Sequence, residues 1–341
     1  MLNKIVIRCV FVFIMVHYGF AAYAADDARP DSVMRLQADD FLRSMPTGLQ
    51  QLQSSAIVKA ISGDTGDLER VRESRNTVQQ ISENVTARML STDYRLYEHK
   101  DRADRLQPLL IYFHGGGWTF GSINSCARFC NAMAATGEVK VLAVDYRLAP
   151  EHPFPAGLDD CIAALDYAID NASSLNIDPE RITVGGDSSG GNLAIALALS
   201  ACRPGVPESL LLFYPVTKAF ADGSASWLTY GSGYGLDAEI MEVFNSAYTI
   251  GSDPRDCRIS VGLCDSQMLS ELPRTLLVAA GRDILSDQGK EFAQKSCGRV
   301  KRVEFPEAVH LFITVAGQDC AFDKAVAQSL SFITDVCSGI D

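Results

Sequence analysis

Short apolar runs alternate with amphipathic stretches through most of the chain. The apolar runs are bounded by turn residues and predict strands at 108–113, 139–144, 181–184, 210–213, 275–279 and 301–305. Apolar residues at helical spacing predict helices between them, at 126–135, 158–172, 190–201, 287–295 and 322–336. Because the strand runs do not alternate strictly with polar residues, we expect a mostly parallel central sheet flanked by helices. The pattern predicts an α/β fold.

Two segments depart from this alternation. Residues 31–78 are polar, with apolar residues at helical spacing, and residues 219–264 form a long insertion with a predicted helix at 237–248. Insertions at the strand ends of such sheets commonly cover the active site. We therefore expect the insertion and the N-terminal segment 25–78 to form a helical cap on a main domain of residues 79–341.

The first 24 residues have the pattern of a secretory signal peptide. Lys4 and Arg8 precede an apolar run at 9–20, and Ala22 and Ala24 supply the small residues of a cleavage site. The run is shorter than the roughly 20 residues that a membrane span needs. We expect cleavage, no stable membrane insertion afterwards, and a periplasmic or extracellular location. An uncleaved anchor is the open alternative.

The net charge and the cysteines indicate which partners, disulfides and metal sites can be expected. The chain has 42 acidic and 30 basic residues, a formal net charge of -12. An acidic chain has little electrostatic attraction for phosphate backbones, so no nucleic-acid partner is expected. Cleavage would remove Cys9, and export would permit disulfides among the nine remaining cysteines, with at least one thiol unpaired and a pairing that the sequence leaves open. Cys126 and Cys130 have no second pair at zinc-like spacing, so no metal site is expected.

The strongest indication of catalytic residues is the motif Gly186-Asp187-Ser188-Ser189-Gly190. It fits the G-x-S-x-G pattern and lies between a predicted strand and a predicted helix. A serine on so tight a turn is held in a strained backbone conformation, and side chains at the two flanking positions would clash. The motif predicts that Ser188 is a nucleophile at the N-terminal end of the helix.

Two nucleotide-binding interpretations of the glycines fail. A phosphate-binding loop needs lysine after its last glycine, where this chain has Asn192. A dinucleotide fingerprint that begins at Gly115 needs glycine where Phe120 stands. No nucleotide cofactor is expected from either motif.

The general base is found by elimination. Serine hydrolases of this architecture place the acid and then the histidine after the serine in the chain. His310 is the histidine that follows Ser188, so it is the predicted base. Asp283 comes directly after a predicted strand and is the predicted acid, which orients the imidazole. Asp287 is the competing aspartate, with capping of the next helix as its more common role.

A triple glycine follows the first predicted strand of the parallel sheet. In His114-Gly115-Gly116-Gly117-Trp118, consecutive glycines let backbone N–H groups point at a ligand without intervening side chains. We expect Gly116 and Gly117 to donate two hydrogen bonds to an oxyanion. The N–H of the residue after the nucleophile, position 189, supplies a third.

These motifs together resemble the hormone-sensitive-lipase-like family of α/β-hydrolase carboxylesterases. The resemblance covers about residues 80–335 and rests on segments 114–118, 145–156, 186–191, 281–283 and 309–310. It implies an α/β-hydrolase fold, a cap over the active site, and hydrolysis of carboxylic esters, usually short, without a cofactor. The chain departs from the family pattern at Ser189, where alanine is usual.

The sequence therefore predicts a serine carboxylesterase that acts on short- to medium-chain esters through an acyl-enzyme, with a small-molecule ester as its partner. The candidate walls of the substrate pocket are Trp118, Phe120, Trp227 and Tyr234. An acetylesterase for acetylated sugars and a lipase for longer acyl chains are alternatives. A non-catalytic binding protein on the same fold is the alternative of another class. The natural ester and the oligomeric state are left open.

Overall fold

A mostly parallel sheet with helices on both faces forms the framework of the molecule. The structure, a computed structural model, describes residues 30–200 and 205–335. The predicted signal peptide lies outside these residues and stays a prediction. In the described part, no helix is long and apolar enough to cross a membrane.

The elements follow one another in the expected βα rhythm after an N-terminal helical segment. The helices are α1 (Pro30–Ser44), α2 (Leu49–Ile61), α3 (Gly66–Arg75), α4 (Ala127–Ala135), α5 (Ala156–Asp170), α6 (Ala172–Leu175), α7 (Ser189–Ser200), α8 (Ala225–Tyr230), α9 (Ala238–Tyr248), α10 (Ser266–Ser270), α11 (Ser286–Lys295) and α12 (Asp319–Thr334). The strands are β1 (Val85–Met89), β2 (Tyr94–His99), β3 (Gln107–Phe113), β4 (Lys140–Val144), β5 (Ile177–Asp187), β6 (Ser209–Phe213), β7 (Arg274–Arg282) and β8 (Val300–Val309).

The eight strands form one sheet in the order β1-β2-β4-β3-β5-β6-β7-β8. The pairs from β4 to β8 are parallel, whereas β1 pairs with β2, and β2 with β4, in antiparallel fashion. The six parallel strands are those that the apolar runs predict. The two antiparallel strands at one edge carry no such run and are missing from the prediction.

The centre of the sheet is buried on both faces. Along β3, Leu109, Ile111 and Phe113 join one hydrophobic cluster, and Leu110 and Tyr112 join the other. All five side chains are fully shielded from solvent. This explains why the strand reads as a continuous apolar run and not as an alternating one.

Parallel strands bring four chain segments to one edge of the sheet. β3 ends at the glycine loop, β5 ends directly before Ser188, β7 ends directly before Asp283, and β8 ends directly before His310. Carboxyl ends of parallel strands meet at the same edge, where α/β proteins bind their ligands. The predicted site residues therefore converge although the chain separates them widely.

The insertion and the N-terminal helices lie against each other. In the insertion, α9 packs against α2, which also packs against α3. The backbone N–H of Asp237, directly before α9, donates to Gln50 Oε1 in α2 at 3.0 Å. α1 lies along β8 and α12. The contacts of α2 with α9 and with Asp237 join the two segments that depart from the βα alternation.

Candidate active site

Ser188 sits on a sharp turn between β5 and α7. Its φ is 54°, in the left-handed region that non-glycine residues rarely adopt. A Cβ atom added to Gly190 would lie 2.0 Å from the carbonyl oxygen of Phe113, and one added to Gly186 would lie 2.5 Å from the same oxygen. The turn therefore requires glycine on both sides of the serine, as the motif predicts.

Ser188, His310 and Asp283 form a hydrogen-bonded series. His310 Nε2 lies 3.2 Å from Ser188 Oγ, and His310 Nδ1 lies 2.6 Å from Asp283 Oδ2. The other carboxylate oxygen of Asp283 accepts the N–H of Leu285 at 2.9 Å. All three side chains are nearly shielded from solvent, with exposures of 6%, 2% and 1% for Ser188, His310 and Asp283. The imidazole is thus held between a hydroxyl and a fixed carboxylate.

Two residues that the sequence analysis did not single out hold His310 in place. The side chain of Gln318 accepts the N–H of Val309 at 3.1 Å and donates to the carbonyl oxygen of His310 at 3.1 Å. The ring of Tyr214 packs on the imidazole, with ring centroids 4.3 Å apart. Gln318 is 1% exposed and Tyr214 is 2% exposed. His310 is therefore held through its backbone by Gln318 and through its imidazole ring by Tyr214.

Asp287, the competing aspartate, serves another part of the structure. Its Oδ2 accepts the backbone N–H of Ser226 at 2.8 Å, and its own N–H donates to Ser226 Oγ at 3.1 Å. These bonds join the first turn of α11 to α8. Among the described residues, Asp283 is the only aspartate that is hydrogen-bonded to His310.

The glycine loop leaves backbone donors without partners. Gly116 and Gly117 have φ values of 126° and 61°, and within 30–200 and 205–335 no group accepts their N–H groups. Ser189 opens α7, so its N–H has no acceptor within the helix. The loop is closed by the N–H of Phe120, which donates to the Gly116 carbonyl oxygen at 2.9 Å. Arg72 Nε donates to the carbonyl oxygen of Thr119 at 2.9 Å.

Asp187 connects the glycine loop to the serine turn. Its Oδ1 accepts the N–H of Gly115 and the hydroxyl of Tyr112, each at 3.0 Å. A Cβ atom at Gly115 would lie 2.2 Å from Asp187 Oδ2, so glycine is needed there too. Burial raises the pKa of the Asp187 carboxyl to about 6, although both hydrogen bonds oppose the shift.

This shift predicts a pH-dependent effect of Asp187→Asn, which keeps an oxygen acceptor and removes the charge. The folded-state pKa of about 6 exceeds the ordinary value of 3.8, so the folded state binds more protons between these values and is destabilised as the pH rises through them. We expect the free energy of unfolding of the variant, relative to the parent, to increase by about 1–2 kcal/mol from pH 5 to pH 8. Urea unfolding at both pH values measures it. A difference independent of pH would contradict the raised pKa.

His114 precedes the glycine loop and takes no part in the Ser188 series. It is fully buried, and its Nδ1 lies 2.8 Å from the carbonyl oxygen of Gly115. Because a carbonyl only accepts, Nδ1 carries the proton. Burial lowers the pKa of His114, which favours the neutral ring. Within the described ranges, no group of three or more His, Cys, Asp or Glu side chains could hold a metal ion.

Two of the predicted pocket aromatics link the glycine loop to α9. Trp118 stacks on Tyr248 with centroids 4.3 Å apart and planes 2° apart, and Phe120 meets Phe244 edge-on at 5.6 Å. A Cβ atom at Gly117 would lie 2.2 Å from the Phe244 ring. Trp118 and Phe120 are each 1% exposed. The helix of the insertion is thus packed directly onto the loop.

The other two predicted pocket residues lie apart from this contact. Trp227, in α8, is 6% exposed and belongs to the main hydrophobic cluster. Tyr234 packs on the small cluster that contains Phe41 and Val309, the residue before His310. The guanidinium of Arg282 lies 5.4 Å from the Tyr234 ring centroid. Tyr234 therefore lies on the His310 side of the site.

Comparison with known proteins places this chain in a family. A family model described as the α/β-hydrolase fold matches residues 110–314, more than half of the chain. The chain belongs to the α/β-hydrolase family. The fold that the sequence predicts is confirmed, as is its resemblance to the hormone-sensitive-lipase-like members of the family.

Several α/β-hydrolase relatives have curated names. The chain is 37% identical over 220 residues to carboxylesterase NlhH of Mycobacterium tuberculosis, a match that covers 61% of this chain and 67% of the relative. It is 40% identical over 189 residues to an ethyl acetate hydrolase of Pseudomonas putida, covering 54% of this chain and 58% of that protein. The chain thus spans between half and two thirds of the length of these relatives.

Solved α/β-hydrolase structures match over a larger share. An ester hydrolase from the metagenome of Lake Arreo, in complex with a bipyridine phosphonate derivative, shares 30% identity at a TM-score of 0.67, covering 90% of this chain and 99% of that one. A thermostable esterase from Pseudomonas putida ECU1011 shares the fold at a TM-score of 0.75 and 23% identity, covering 87% and 96% of the two chains.

Proposed function

We propose that this protein is a serine carboxylesterase that hydrolyses short- to medium-chain carboxylic esters. The observation that carries the proposal is the buried series Ser188–His310–Asp283 beside a glycine loop with unpartnered N–H groups. The family membership and the esterase names of the relatives support the same reaction class.

The series can activate the serine hydroxyl. Asp283 accepts the Nδ1–H of His310, which leaves the Nε2 lone pair directed at Ser188 Oγ. Attack of Oγ on the ester carbonyl carbon transfers the hydroxyl proton to Nε2, and the carboxylate stabilises the imidazolium that forms. The imidazolium then gives this proton to the leaving alcohol. Water repeats the sequence on the acyl-enzyme and releases the acid.

The carbonyl oxygen becomes an oxyanion in this step. We assign its stabilisation to the N–H groups of Gly116, Gly117 and Ser189, which have no competing acceptor among the described residues. One such donor contributes roughly 3–4 kcal/mol in comparable enzymes. Asp187 fixes the separation between the glycine loop and the serine turn, so it is proposed as a positioning residue.

We propose that the insertion and the N-terminal helices act as the cap of this site. The ring of Phe244 lies over Gly117, Tyr248 stacks on Trp118, and α2 packs against α9. Such enclosure excludes water and strengthens hydrogen bonds to a developing charge. Bulky rings directly over the glycine loop favour small acyl or alcohol groups over long lipid chains.

Hydrolysis of p-nitrophenyl esters from acetyl to palmitoyl tests the proposal on the purified chain. We expect the highest kcat/KM between acetyl and hexanoyl, with dissolved substrate and no need for a lipid interface. A rate that rises only when long-chain substrate forms emulsions would favour the lipase alternative. A higher kcat/KM on acetylated sugars than on every simple ester would favour the sugar acetylesterase.

Covalent labelling separates an enzyme from a binding protein. A fluorophosphonate reacts with an activated serine, so we expect one equivalent on the peptide that contains Ser188. His310→Ala, which removes the base, is expected to abolish labelling. An unlabelled parent chain that hydrolyses no ester would support the non-catalytic alternative.

A further inference from the structure

Two cysteines of the insertion lie side by side. Cys264 Sγ lies 3.3 Å from the carbonyl oxygen of Cys257, so the thiol of one cysteine contacts the backbone of the other. Disulfides require Cα atoms within about 7 Å and converging side chains. The contact between the Cys264 thiol and the Cys257 carbonyl oxygen places the two residues next to each other, as a disulfide between them needs.

The two residues differ in access to solvent. Cys257 is half-buried, whereas Cys264 is 3% exposed. Burial, together with the hydrogen bond to Cys257, raises the pKa of the Cys264 thiol to about 12, so it stays protonated at neutral pH. The accessible thiol of Cys257 is therefore the one that meets an external reagent first. By contrast, Cys126 and Cys130, the other neighbouring pair, are both fully buried.

The short segment between Cys257 and Cys264 supports the framework behind the nucleophile. The carbonyl oxygen of Ile259 accepts Asn192 Nδ2 in α7 at 2.8 Å, and the N–H of Gly262 donates to the Thr217 carbonyl oxygen at 2.8 Å. Asn192 itself donates its backbone N–H to the Ser188 carbonyl oxygen at 3.1 Å. A covalent closure of this segment would hold the end of the insertion against α7.

We propose that Cys257 and Cys264 form an intramolecular disulfide when the protein meets a disulfide oxidant. The Cys257 thiol loses its proton to solvent and attacks one sulfur of the oxidant, R–S–S–R, which releases one thiol, R–SH. The Cys264 thiol then loses its proton and attacks Cys257 Sγ in the mixed disulfide, releasing the second R–SH. Two cysteine thiols are oxidised to one S–S bond, and one oxidant disulfide is reduced to two thiols. The proposal is independent of the esterase assignment.

The bond stabilises the folded chain by restricting the unfolded one. For so short a closed loop we expect an increase in Tm of about 5 °C over the reduced protein. Because neither thiol is hydrogen-bonded to Ser188, His310 or Asp283 among the described residues, we expect the kcat at 25 °C on a soluble ester to stay within twofold. We therefore expect the disulfide to raise the Tm without changing the rate of ester hydrolysis.

Tryptic peptide mapping tests the pairing directly. The full chain is incubated with oxidised glutathione, its remaining thiols are blocked with iodoacetamide, and it is digested without reductant. Cleavage at Arg255, Arg258 and Arg274 separates the two cysteines into peptides 256–258 and 259–274, each with a single cysteine. We expect these two peptides joined, at their summed mass less two hydrogens, and separate after reduction.

Two variants and one internal control make the result decisive. Cys264→Ser is expected to abolish the linked peptide and the difference in Tm between oxidised and reduced protein. Cys297→Ser, which removes an exposed thiol, is expected to change neither. In the parent chain, a glutathione adduct on Cys297 shows that the oxidant was active. If Cys297 is oxidised while both test peptides carry the blocking group, or while Cys257 keeps glutathione or joins another cysteine, the proposal is wrong.

Discussion

Ser188→Ala is expected to lower kcat for p-nitrophenyl butyrate by about 10⁶-fold, the loss seen when a comparable serine enzyme is deprived of its nucleophile. No other hydroxyl among the described residues is hydrogen-bonded to His310 Nε2. Alanine removes only the Oγ atom, and the strained turn is held by the glycines on each side and by the Ser188 N–H, which donates to the Phe213 carbonyl oxygen at 2.9 Å. The Tm is therefore expected to change little.

Ser189→Ala is the matched control for this variant. Position 189 is also a buried serine, and its proposed contribution comes from the backbone N–H, which alanine retains. We expect kcat within a few-fold of the parent. Steady-state hydrolysis and thermal unfolding of all three proteins measure both effects. Equal losses in the two variants, or residual activity of Ser188→Ala close to that of the parent, would contradict the nucleophile assignment.

Asp283→Asn is expected to lower kcat by about 10⁴-fold, the effect of the same change in a comparable triad. The amide keeps the shape of the carboxylate but removes its charge, and it can present an NH₂ group to Nδ1. The imidazole then adopts the tautomer with the proton on Nε2, which cannot accept a proton from Ser188 Oγ. The 2.6 Å contact between Asp283 and His310 makes this effect direct.

Asp287→Asn distinguishes the two aspartates. Its Oδ2 accepts a backbone N–H of α8, and an amide oxygen can do the same. We expect kcat within a few-fold of the parent, with any loss seen in Tm. Measuring kcat for both variants at pH 8 decides between them. A large loss in Asp287→Asn with a small one in Asp283→Asn would reverse the assignment of the acid.

The parallel part of the fold could be predicted because the apolar runs of strands β3 to β7 are buried on both faces. β1 and β2 could not, since both are only partly buried and carry charged residues such as Arg88 and Glu98. Glu98 is buried as the partner of Lys140 Nζ, at 3.1 Å. These strands are adjacent in the sheet but far apart in the chain, so the ion pair has no local sequence signal. From the sequence alone, buried Glu98 therefore resembled a surface residue.

The serine turn could be predicted because its requirements are local: a strained serine needs glycine within two residues on each side. The contacts that brace it are long-range. The motif allows any residue at position 187, so it did not predict a role for Asp187. The hydrogen-bond partners of its carboxylate, Tyr112 and Gly115, lie more than 70 residues earlier in the chain. Gln318 follows His310 at a distance that no motif defines. The hydrogen bonds of Asp187 and of Gln318 can form only in the folded protein, so a local sequence pattern does not predict them.

The packing of Phe244 on Gly117 and of Tyr248 on Trp118 has a consequence for protein engineering. The insertion is not an interchangeable module, because its helix supplies one half of an interface whose other half is the glycine loop. A graft of residues 219–264 onto a relative would have to bring residues 117–120 with it. Chimeras that exchange the insertion alone would misplace the loop even where the Ser–His–Asp series stays intact.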